Sequence, residues 1–95
     1  MEVTIAELRI VANRLFDNLD KAGRQAITIP HDYYWSVPQD ERYDPYKQPS
    51  ELTLGQLSDD IRELRRIATG EAQPLAYAFV WFSSIARALG EEVVI

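Results

Sequence analysis

The sequence predicts an α+β domain, mostly helical: three helices, a short two-stranded β-ribbon and a long proline-rich loop. Three observations lead there. Apolar residues recur at helical spacing in segments near 5–22, 54–69 and 74–89. Two short β-prone runs lie near 26–37, each stopped by a proline. Between these groups, residues 38–50 (PQDERYDPYKQPS) hold three prolines and no aliphatic residue, the composition of an irregular loop.

The first helix opens on Thr4-Ile5-Ala6-Glu7, where the Thr4 hydroxyl can take the Glu7 N–H and the Glu7 carboxylate can reach back. Ile5, Leu8, Ala12, Leu15 and Leu19 then mark one face, widened by Val11 and Phe16, and Gly23 is the expected stop. The ribbon follows as Gln25–Ile29 and Tyr33–Val37, which pair around Pro30, His31 and Asp32 in the simplest arrangement. A second capping box, Thr53-Leu54-Gly55-Gln56, is expected to start the next helix, with Leu57, Ile61, Leu64 and Ala68 inward and Gly70 closing it. Its acids Asp59 and Asp60 sit near the positive end of the helix dipole, and Arg65 and Arg66 near the negative end.

The segment 74–89, PLAYAFVWFSSIARAL, is apolar on nearly every helical face. Leu75, Phe79, Phe82, Ala86 and Leu89 form one stripe; Ala78, Trp81, Ile85 and Ala88 form a second. Its apolar run is too short for a bilayer, which needs roughly 18 to 20 residues. The segment is therefore expected to be a core helix, shielded by the other two. One of its faces exceeds what so small a chain can cover, which makes a homodimer seam a further expectation. The tail, Glu91 to Ile95, is expected to fray or to add an edge strand.

Ninety-five residues suit a single domain, 1–95. Apolar content of 46% and charged content of 26% are those of a folded chain, which argues against wholesale disorder. With no cysteine there is no disulfide framework, thiol nucleophile or thiolate metal site, and the N-terminus lacks a signal-peptide pattern. A cytoplasmic location is the expectation. The net charge of −5 argues against a nucleic-acid partner, and nothing points to a membrane or a cofactor. Residues 31–60 contain seven acids and two bases and carry all of that net charge, since the remaining acids and bases cancel.

That middle third is also rich in aromatics. Tyr33, Tyr34, Trp35, Tyr43 and Tyr46 are interleaved with Asp40, Glu41 and Asp44, a composition that suits capture of a protein with a basic surface. The first functional expectation is therefore a small binding protein, inhibitor-like or immunity-like. The alternatives are a structural homodimer subunit and a metal-dependent enzyme using Asp59, Asp60, Glu63 and His31 across a dimer. His31 with Asp32 reads more simply as a turn histidine beside a capping aspartate, and Ser83 and Ser84 as hydroxyls bonded back to the helix or to a neighbour.

The segments HDYYWSVP, YDPY and ELTLGQLSDD resemble small acidic bacterial proteins with a DYYW … LTxGQLSDD pattern, over roughly residues 31 to 67. The resemblance implies no activity and no catalytic residues.

Overall fold

A computed structural model describes residues 1–36 and 53–93. Among them are three helices, α1 (Ile5–Lys21), α2 (Leu57–Ala68) and α3 (Ala78–Glu92), and two strands, β1 (Tyr33–Ser36) and β2 (Thr53–Gln56). The fold class is thus α+β and mostly helical. The expected loop 38–50 and the end of the tail, Val94 and Ile95, lie outside the described residues.

The helix signals at the N-terminus hold. The Thr4 hydroxyl accepts the Glu7 N–H at 3.1 Å and the Glu7 carboxylate accepts the Thr4 N–H at 3.2 Å. At the other end Gly23 has φ +76°, the Arg24 N–H reaches the Leu19 carbonyl at 2.9 Å and the Gly23 N–H reaches that of Asp20 at 3.0 Å. This is the left-handed closure that glycine permits at little cost. Gly70 closes α2 in the same region, with φ +80°.

The second expected capping box is a correction. Thr53–Gln56 is strand β2, α2 begins at Leu57, and the Gln56 side chain makes no cap. Asp32 does the capping from far away in sequence. Its backbone carbonyl accepts the Leu57 N–H at 2.7 Å, Oδ1 accepts the Ser58 N–H at 2.7 Å, and Oδ2 accepts the Ser58 hydroxyl at 3.0 Å. Two free N–H groups of the first turn are thereby satisfied.

The hairpin within 26–37 is likewise overturned. Residues 25–29 form no strand; β1 pairs antiparallel with β2, in the register Tyr33↔Gln56, Tyr34↔Gly55, Trp35↔Leu54 and Ser36↔Thr53. The Tyr34 ring lies over Gly55 so closely that a methyl group there would collide with it. That close approach explains the glycine in the strand.

The central helix is displaced from its expected bounds. Three-residue turns, Ala78 N–H to Leu75 carbonyl and Phe79 N–H to Ala76 carbonyl among them, lead from Leu75 into α3. The helix then runs through Gly90, which does not end it, to Glu92. It packs against α2, and its Trp81 ring meets that of Tyr77, the residue before its start, edge to face at 5.6 Å.

The expectation of a shielded core rod fails in the single chain. Phe79 is 75% exposed and Leu75 and Tyr77 are also exposed, although Trp81 is half-buried. The physical reason is α1: it buries none of its residues, so it does not cover the face assigned to it. The only buried apolar side chains among the described residues are Leu57 on α2 and Ala88 on α3.

Replacing Asp32 with Ala is expected to cost about 1 to 2 kcal/mol. That should appear as a melting-temperature drop of roughly 4 to 8 °C for each kcal/mol, with Asp32→Asn largely spared. Gly55→Ala is expected to destabilise by about 1 to 3 kcal/mol through overpacking against Tyr34, and the losses from Gly55→Ala and Tyr34→Ala to be less than additive in the double variant, where the clash is gone.

Candidate functional site

Two features of the described residues are candidates, a buried polar tie and an apolar groove. The tie is centred on Asp60, a carboxyl 7% exposed at the junction of β1, α2 and α3. Its Oδ2 accepts the Tyr34 phenol at 2.5 Å and the Ser84 hydroxyl at 2.6 Å. Ser84 also lies 2.8 Å from the Trp81 carbonyl, so its single proton is shared between two acceptors. A carboxyl this buried requires such donors, because losing water without replacement is costly.

Burial pushes the Tyr34 phenol above its ordinary value of 10.0; the hydrogen bond to Asp60 adds to the rise and Ser84 opposes it. The arrangement holds a neutral phenol against a carboxyl. Beside the tie is a recess of about 360 Å³ where His31, Tyr33, Tyr34, Ser84, Arg87 and Glu91 converge.

The expected site residues fare unevenly. Tyr33 is exposed on β1, Tyr34 points inward to Asp60, and Trp35 is placed on β1 opposite Leu54. Asp40, Glu41, Tyr43, Asp44 and Tyr46 lie outside the described residues. The acidic trio is not gathered for a cation. Asp59 pairs with Arg62 at 3.3 Å, Glu63 pairs with Arg66 at 3.2 Å, and Asp60 takes the two hydroxyls. Among the described residues no three His, Cys, Asp or Glu side chains form a metal-sized group. Ser83 and Ser84 bond as expected, Ser83 back to the Val80 carbonyl at 2.8 Å.

The second candidate escaped the sequence reading. Between α1 and the α2–α3 pair runs a groove of about 740 Å³, walled by Leu15, Phe16, Ile61, Leu64, Phe82 and Leu89 among others. Only Asn18 and Arg65 bring polar side chains to it. The signal was present as three apolar helical faces, but periodicity shows that a face is apolar and not which faces meet. No described helix is long and apolar enough to cross a membrane.

Comparison of the chain with protein-family models, curated proteins and solved structures finds no match. The functional reading therefore rests on the geometry.

Folding favours the protonated Tyr34, so its contribution is complete below pH about 10 and is lost as pH rises through the raised folded value. Wild-type stability is expected to fall in alkali, with tyrosinate absorbance appearing late, and Tyr34→Phe should remove this part of the alkaline loss. At neutral pH, Tyr34→Phe and Ser84→Ala, each depriving Asp60 of a donor, should each cost roughly 1 to 3 kcal/mol in urea melts.

Proposed function

We propose that the chain is a protein-interaction module that docks through the apolar stripe of α1 and the groove beside it. The observation that carries this is the exposure of α1: Ile5, Leu8, Val11, Leu15 and Phe16 lie at helical spacing, and each leaves 45% or more of its surface open. Contiguous apolar surface on this scale, flanked by charged side chains, is characteristic of contact with another macromolecule. Binding rather than catalysis is supported by the polar groups. Asp32 caps a helix, Asp60 anchors the junction, and Asp59 and Glu63 are paired with arginines.

Of the expected acidic, aromatic surface, only Tyr33, Tyr34 and Trp35 fall among the described residues. Tyr34 is engaged with Asp60, while exposed Tyr33 remains available beside the recess at His31 and Arg87. A role for that surface is secondary to the helical one in this reading.

The double variant Leu8→Glu, Leu15→Glu tests the proposal, because glutamate keeps helix propensity while charging the stripe. The expected result is loss of at least about tenfold in binding, with helical circular dichroism retained. Binding is read as self-association or as capture of another protein by immobilised chain. A variant that binds as the wild type does, or a wild type that neither self-associates nor captures anything, rejects the reading.

A further inference from the structure

We infer that the partner on this surface is a second copy of the same chain, related by a twofold axis, with the α1 stripe of each copy filling the groove of the other. This rests on the interaction-module reading and names its partner. Three observations support a second copy over other occupants.

The first is area. Ile5, Leu8, Val11, Leu15 and Phe16, with Phe79 and Phe82 of α3, are each 45% or more exposed. Together they leave on the order of 800 Å² of apolar surface, about what each partner buries in a standard-size complex. The second is shape. The stripe and the groove belong to one molecule, a ridge of large apolar side chains and an apolar trough of about 740 Å³. A twofold contact needs such self-complementarity, since each copy offers the same patch. A small apolar ligand confined to the trough would leave Ile5, Leu8 and Phe79 uncovered, because none of them walls it.

The third is charge. Residues 1–24 carry four acids (Glu2, Glu7, Asp17, Asp20) and four bases (Arg9, Arg14, Lys21, Arg24), so this end of the chain is neutral. Two copies can approach there without the repulsion that the acidic 31–60 region would impose. A partner chosen by charge would instead be drawn to that middle region. A second copy also supplies what the described residues lack, since only Leu57 and Ala88 are buried apolar side chains among them.

Light scattering on the full chain at micromolar concentration is expected to give about twice the single-chain mass of 10.9 kDa. The Leu8→Glu, Leu15→Glu variant should shift to the single-chain mass. As the chain has no cysteine, one introduced thiol reports the seam without interference. Leu15→Cys should form an oxidation-dependent linked dimer, while Asp17→Cys on the opposite side of α1 should not.

A monomeric wild type overturns the dimer; if that monomer captures another protein through α1, the interaction reading survives alone. A dimer indifferent to both glutamates overturns both. Equal linkage at positions 15 and 17 places the seam elsewhere and overturns the proposed arrangement.

Discussion

The structure depends on the requirement that a buried carboxyl keep its hydrogen-bond donors. Asp60 sits on α2, Tyr34 on β1 and Ser84 on α3, so the two hydroxyls that satisfy it tie three elements at one point. Asp32 adds a second tie a few residues away by closing the open end of α2. Both ties join residues more than twenty positions apart, so the ribbon and the α2–α3 pair stand or fall together. The ring of Tyr34 over Gly55 belongs to the same junction: the side chain that reaches Asp60 must cross its partner strand where no Cβ stands.

Away from that junction the molecule is short of burial. Helix α1 has a well-formed start and stop and a continuous apolar face, yet none of its residues is buried. Its local capping makes the helix definite in extent, whereas most of a helix's stability in proteins comes from packing that face. The groove between α1 and the α2–α3 pair is where that packing is incomplete. An apolar trough beside an apolar ridge has its free energy lowered by contact, and a copy of the same chain brings the matching pair of surfaces.

How much was legible depended on how local each signal was. The Thr4 and Glu7 reciprocal cap and the Gly23 stop are written within a few residues and appear as read. Thr53-Leu54-Gly55-Gln56 has the same outward form as a capping box but becomes a strand, because β1 offers it a ladder and Asp32 takes over the capping. Pairing Tyr33–Ser36 with 25–29 was the economical choice by loop length, and the more distant segment pairs instead. Among the candidate residues, Tyr33 and Tyr34 are neighbours in one aromatic cluster. Strand alternation sends one to solvent and the other to a buried carboxyl.

By itself the sequence determined the α+β class, the extent of α1 and the closure of α2, because caps, glycine stops and apolar periodicity act over one or two turns of chain. The tertiary structure alone decided which strand pairs with which, that Asp60 anchors while Asp32 caps, and that the apolar faces of α1 and α3 stay partly open. Those outcomes depend on which distant groups meet, and a linear pattern holds no term for the geometry of that meeting.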